Sequence, residues 1–281
     1  MGWSKIEGMA GFKIGINRWT LPSGWDVKTC LRAAKESGFD AIEFNMELEG
    51  ALTPHTSDSE ARAIRQMAEE VGIALSSLST GVYWGTPFTH PEASVRERAM
   101  ELCRQQLRLA AALGVDAILV VPGVVTPDVS YDVAYTRAQQ ALRQLAPEAE
   151  RLRVAIAVEN VWNRFLLSPL EMARFIDEIG SEWVRVYFDA GNVLAFGYPQ
   201  QWIRILGERI RRVHVKDFRT DIGNLQGFAN PLQGDVPWLE VRAALEAIGY
   251  TGFIVAEVGG YRAFPELGLR HIADALRVVF K

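Results

Sequence analysis

Four strand-like runs in the second half of the chain end on, or just before, side chains able to bind a metal or move a proton. Ala155-Ile156-Ala157-Val158-Glu159 ends in a carboxylate, Val186-Tyr187-Phe188-Asp189 in a second, and Ile254-Val255-Ala256-Glu257 in a third. Val213-His214-Val215-Lys216-Asp217 carries an imidazole. Taken singly, each has an ordinary explanation. A carboxylate at a strand end often caps the next helix, and a histidine in an apolar strand is often a hydrogen-bonded core residue. Taken together they are harder to explain that way, because three converging carboxylates repel one another unless a cation neutralises them. Three carboxylates and an imidazole form a mostly hard oxygen donor set. It favours one divalent cation, Mn²⁺ first, with Mg²⁺, Co²⁺ or Zn²⁺ as alternatives, and the absence of cysteine ligands argues against structural zinc. Four protein ligands on a six-coordinate ion leave two positions for adjacent oxygens of a substrate.

Strand alternation sharpens the picture. Ala155, Ala157 and Glu159 share one parity, so two small side chains lie below the glutamate, while Val154, Ile156 and Val158 take the face that suits outer helices. Lys216 shares the parity of His214 and is expected to face the same mouth, as an electrophile or as a partner for Asp217. Aromatic residues follow several strand ends: Trp19, Tyr83, Trp84, Trp162 and Phe228. Packing against helices accounts for most tryptophans. The functional alternative is an apolar wall, with Trp19 and Trp84 among its members, that stacks on the carbon face of a small substrate and excludes water.

The elements that must position these groups alternate along the chain. Strand patterns are expected at 13–17, 41–45, 74–78, 117–121, 154–159, 184–189, 212–216 and 253–257, spaced so that a helix fits between each pair. Eight such units predict a closed (β/α)8 TIM barrel, in which reacting groups sit at the C-terminal strand ends. An open doubly wound sheet is the runner-up, and no Gly-x-Gly-x-x-Gly follows the first strand to support it. Ser57-Asp58-Ser59-Glu60 and Ser168-Pro169-Leu170-Glu171 read as capping boxes that start helices. Gly38, Gly72, Gly114, Gly180 and Gly249 read as helix ends. With no linker and no shift in composition, residues 1–281 read as one domain, with 1–11 as a loose lead-in.

The chain has 281 residues, of which 49% are hydrophobic and 23% charged, and a net charge of −4. That balance fits a protein with a sizeable core and argues against nucleic acid as a partner. Two cysteines, Cys30 and Cys103, give no disulfide framework, so a reducing cytoplasm is expected. The start lacks a secretory h-region, and the longest apolar stretch, 117–125, is too short for a bilayer and holds Pro122 and Gly123. No membrane partner is expected, and a homo-oligomer is left open.

Several segments carry a family resemblance: Phe188-Asp189-Ala190-Gly191-Asn192, Val213-His214-Val215-Lys216-Asp217, Gly234-Asp235-Val236-Pro237, and Gly249-Tyr250-Thr251-Gly252 leading to Glu257. From about residue 12 to 281 the chain resembles the xylose-isomerase-like sugar phosphate isomerases and epimerases. Within them it is most similar to the bacterial pentulose-5-phosphate 3-epimerases, also known as hexulose-6-phosphate isomerases. The resemblance implies that Glu159, Asp189, His214 and Glu257 bind one divalent cation. It also implies that Glu159 and Glu257 exchange protons on opposite faces of a sugar or sugar phosphate, and that Arg219 lies near substrate oxygens.

The chain also departs from its relatives. Asn192 stands where ketohexose 3-epimerases carry a histidine. Leu78-Ser79-Thr80-Gly81-Val82-Tyr83-Trp84 lacks the histidine of the pentulose-phosphate group, and Asn160-Val161-Trp162-Asn163-Arg164-Phe165 lacks an extra glutamate. The sugar and its phosphorylation therefore stay open, with Arg18, Lys216, Arg219 and Arg262 able to supply positive charge.

The expected chemistry is removal and return of the proton at C3 of a ketose through an enediolate. An aldose–ketose isomerase or an inosose-type dehydratase would use the same apparatus. An abasic-site endonuclease is a distant alternative, since it needs three zinc ions and many histidines, and His55, His90 and His271 lie in helical or loop segments.

Overall fold

The computed structural model describes residues 11–281. The lead-in read at 1–11 lies, apart from exposed Gly11, outside the described residues. Eight parallel strands close into a barrel: β1 (Lys13–Asn17), β2 (Ala41–Asn45), β3 (Ala74–Ser79), β4 (Ala117–Val120), β5 (Ala155–Glu159), β6 (Val184–Asp189), β7 (Ile210–Val215) and β10 (Phe253–Ala256). β10 pairs with both β1 and β7, which closes the ring. The remaining pair, β8 (Asp217–Phe218) and β9 (Phe228–Ala229), forms a small antiparallel hairpin after β7.

Around the barrel run α1 (Val27–Ser37), α2 (Asp58–Val71), α4 (Ala93–Leu113), α5 (Tyr131–Leu152), α6 (Pro169–Ile179), α8 (Pro199–Leu206), α9 (Trp238–Ala247) and α10 (Pro265–Phe280). Two four-residue helices, α3 (Val82–Gly85) and α7 (Ala190–Val193), follow β3 and β6 at the mouth. The apolar periodicity explains the layering. Ile156 and Val158 of β5 join Leu142 and Leu145 of α5 and Phe175 of α6 in one buried cluster, because a parallel strand covered on both faces must be apolar nearly throughout.

Element ends follow local chemistry. Gly38 and Gly72 close α1 and α2 at φ of 93° and 73°, a left-handed conformation that costs little only without a Cβ. Gly114 and Gly180 do the same for α4 and α6. Gly249 lies one residue past the cap of α9, and α5 ends on left-handed Arg153, where no glycine marks the boundary. The box at Ser57 and Glu60 forms in full. The one at Ser168 forms by half. Ser168 accepts from the Glu171 N–H, but the Glu171 carboxylate turns to the Leu167 N–H and the Tyr131 hydroxyl.

The seventh strand starts at Ile210, two residues earlier than its sequence suggests, and its Arg212 lies inside the barrel rather than in solvent. At the N-terminal end its guanidinium donates to the Ser76 carbonyl at 3.0 Å and the Arg211 carbonyl at 2.8 Å, and pairs with Asp116. It also lies 5.4 Å from the Phe253 ring centre. Arg212→Ala is expected to lower unfolding free energy by about 1–3 kcal/mol, since a buried carbonyl loses its donor. Urea denaturation measures this, and an unchanged midpoint would remove Arg212 from the stabilising set.

Candidate active site

At the opposite end, β5, β6, β7 and β10 bring Glu159, Asp189, His214 and Glu257 together. One ligand atom from each lies within 4.8 Å of the others. Asp189 and His214 are wholly buried, Glu159 nearly so, and Glu257 is one-fifth exposed, 21% by side chain. His214 directs Nδ1 into the cluster, 3.2 Å from Glu159 and 3.8 Å from Glu257. Asp189 has two tasks. Oδ1 accepts from the Asn192 N–H at 2.8 Å and caps α7, while Oδ2 faces the Lys216 ammonium at 2.6 Å. The ordinary helix-cap role and a site role therefore coexist on one carboxylate.

Lys216 sits beside the cluster as its parity implied, bridging Asp189 and Glu257. The suggested pairing with Asp217 does not occur. Asp217 has the opposite parity and accepts from the Phe218 N–H, the Val236 N–H and the Trp238 indole at 2.9–3.0 Å. The Gly234 turn packs against it so closely that a Cβ on Gly234 would lie 2.5 Å from Oδ1. Gly191 is constrained in the same way, because a Cβ there would meet the Lys216 carbonyl oxygen at 2.5 Å.

A glutamate absent from the strand-end reading lies below the cluster. Glu43, in the middle of β2, is fully buried. Its Oε2 accepts from Asn17 Nδ2 and stands 2.7 Å from His214 Nε2, while its Oε1 accepts from the Ser77 and Tyr187 hydroxyls, each at 2.7 Å. The sequence held one signal for it, a charge inside the otherwise apolar run Ala41-Ile42-Glu43-Phe44. Asn160 was missed too. Its amide clamps the Asp189 backbone, accepting from N–H and donating to C=O at 2.9 Å each.

The electrostatics follow from burial and from these partners. Burial drives the Glu159 carboxyl up to about 7, against the His214 hydrogen bond and with the help of the Glu257 charge. Burial likewise raises Asp189, opposed by Lys216. For Glu257 the burial penalty is outweighed by Lys216 and His214, leaving it below the usual carboxylate range. Burial disfavours charge on His214 and Lys216, yet the surrounding carboxylates lift both above their ordinary values. Were all four carboxylates ionised, Glu43 included, they would carry two more charges than Lys216 and a protonated His214 offset, and the raised pKa values of Glu159 and Asp189 show the resistance to that state. The donor set, with an imidazole nitrogen aimed into it, fits a divalent cation held by Glu159, Asp189, His214 and Glu257.

Above the cluster opens a cavity of about 750 Å³ lined by Glu159, Glu257, Lys216, Asn192, Arg219, Trp19, Trp84, Trp162 and Phe228. Of the nine site residues named from sequence, seven lie at the cavity wall and Asp189 and His214 lie beneath it. Trp162 packs against Phe228 with ring centres 5.0 Å apart, and its indole donates to the Asn192 carbonyl at 2.8 Å. The Trp19 indole donates to Glu47 at 2.6 Å. Three expectations are corrected. Tyr83 is no part of the wall; it is buried, with its hydroxyl on Gln106. Arg18 is held by the carbonyls of Leu21, Ser23 and Trp25 rather than facing this cavity. Arg262 is exposed and outside the lining.

The sequence profile of the family described as "Xylose isomerase-like TIM barrel" matches residues 31–279. The chain belongs to that family. It is 25% identical over 248 residues to L-ribulose-5-phosphate 3-epimerase UlaE of Salmonella paratyphi C, covering 87% of this chain and 86% of the relative. It is 27% identical over 217 residues to 2-epi-5-epi-valiolone 7-phosphate 2-epimerase of Actinoplanes sp., covering 75% and 74%. The fold matches D-psicose 3-epimerase, solved in the presence of D-fructose, with a TM-score of 0.80, 21% identity and coverage of 95% and 99%. Among the described residues no helix is long and apolar enough to cross a membrane.

Proposed function

We propose that the chain, as one barrel domain over 1–281, is a divalent-metal-dependent epimerase acting at C3 of a ketose or ketose phosphate. The observation that carries this reading is that Glu159 and Glu257 both line the cavity from strands three steps apart around the ring. Inversion requires one face of a carbon to lose a proton while the other gains one, and two carboxylates flanking the substrate suit that demand. A bound cation, Mn²⁺ by preference for hard oxygen donors, would supply Lewis-acid stabilisation of negative charge developing on the substrate. One glutamate would take the C3 proton and the other would return one from the far side. Lys216 would hold Glu257 and Asp189 in place, Arg219 and Asn192 would bind substrate oxygens, and Trp19 and Trp84 would cover its carbon face. The relatives named as 3-epimerases support the choice of carbon.

A small sugar rather than nucleic acid fits the net charge of −4. It also fits the single four-residue acidic–imidazole cluster among the described residues, where a three-zinc nuclease would need more ligands. A cytoplasmic setting fits two buried free thiols, Cys30 and Cys103.

Incubating L-ribulose 5-phosphate and, separately, D-psicose with the Mn²⁺-supplemented protein in D₂O tests the reaction. Deuterium is expected at C3, in a product that remains a ketose and is the C3 epimer. Exchange confined to C1, with an aldose appearing, would make the protein an isomerase, and loss of water would make it a dehydratase.

A further inference from the structure

We infer that Glu43 is a positioning residue. It holds the Nε2–H of His214 and so leaves the Nδ1 lone pair directed at the cation, an inference that rests on the metal-dependent reading above. The geometry separates the two ring nitrogens: Nε2 lies 2.7 Å from Glu43 Oε2, whereas Nδ1 faces Glu159 and Glu257. Imidazole binds a metal only through an unprotonated nitrogen, so whatever fixes the proton on Nε2 also fixes which nitrogen is the ligand. Glu43 is itself immobilised from four directions. Asn17 reaches Oε2 from β1, Ser77 and Tyr187 reach Oε1 from β3 and β6, and His214 completes the set from β7. Asn17 in turn is oriented by the Trp19 N–H on its Oδ1. An ionised carboxylate offers about four acceptor sites, and these four contacts use them all. A fully buried carboxylate that served only packing would need no imidazole, and any apolar side chain would fill the interior at lower desolvation cost.

Glu43→Gln is the decisive variant because it keeps the shape and removes the charge. Its amide oxygen can accept from Asn17 and His214, and its NH₂ can donate to the Ser77 and Tyr187 hydroxyls, which are free to turn and accept. The cation-free variant is therefore expected to melt within a few degrees of wild type. Its Mn²⁺ dissociation constant by calorimetry is expected to rise about 10- to 100-fold, because a neutral amide neither strengthens Nδ1 as a donor nor, being free to flip, holds the proton on Nε2. A purely structural Glu43 would give the reverse, a lowered melting temperature with unchanged Mn²⁺ affinity, and that result would overturn the inference. Wild-type protein that binds no Mn²⁺ at all would instead overturn the metal-dependent reading. A second measurement does not depend on the variant folding. In ¹⁵N-histidine spectra of Zn²⁺-loaded wild type, assigned against His214→Asn, the His214 Nε2 is expected to be protonated and Nδ1 unprotonated and bound to the ion. The opposite tautomer would sink the assignment.

Discussion

Stripped of divalent cations with a chelator, the protein is expected to lose its ketose turnover, and one equivalent of Mn²⁺ per chain should restore it. The basis is the charge that Glu43, Glu159, Asp189 and Glu257 would carry if all were ionised, which Lys216 and His214 would only partly offset. Binding to the folded state alone also raises stability. With free ion at about a hundred times its dissociation constant the gain is about 2.7 kcal/mol, or roughly 5 °C in melting temperature for a chain of this size. Elemental analysis and paired melts with and without chelator measure both effects. Two or three zinc ions per chain would turn the reading toward a nuclease. Protein purified without chelator that holds no cation and gains nothing from Mn²⁺ would remove metal dependence altogether.

Replacing either base should be nearly as damaging. Glu159→Gln and Glu257→Gln are each expected to lower turnover by at least about a hundredfold, the usual scale for a positioned acid or base, when measured at saturating Mn²⁺ with metal content confirmed. A sharper signature accompanies the loss. With one base gone, the surviving glutamate still touches one face of the substrate. One C3 epimer should therefore go on exchanging its proton with solvent although the two epimers no longer interconvert. A variant with near-wild-type turnover would take its residue out of the pair. Equal loss of exchange from both epimers would argue that a single base serves both faces.

Much of this arrangement was legible because a parallel barrel gives strand ends a fixed meaning. Glu159, Asp189 and Glu257 end or directly follow apolar runs, and parity alone put Lys216 on the side of His214. The same parity rule sends Asp217 away from Lys216, toward Trp238. Glu43 escaped because attention to strand ends overlooks the middle of β2, where one charged residue between Ile42 and Phe44 can survive only if other strands supply its partners. Those partners come from positions 26 to 171 residues away, which no local pattern encodes. Tyr83 and Trp84 separated for a related reason. They occupy the four-residue helix α3, where neighbours point about 100° apart, so Trp84 reaches the cavity while Tyr83 turns into the core. A helix that short leaves no periodic trace.

The Arg212 guanidinium at the N-terminal end, tied to the Ser76 carbonyl and to Asp116, makes the barrel a cul-de-sac. With Glu43 and His214 buried between that plug and the cavity, an ion and a sugar bound as proposed would both enter from the cavity side. Traffic through a shared doorway must queue. On the proposed reading, the cation would have to arrive before the ketose that covers it, and the ketose would have to depart before the cation could follow. A resident sugar would then act as a stopper, slowing ion escape in proportion to its occupancy, so the working enzyme would keep its metal best when its substrate is most abundant.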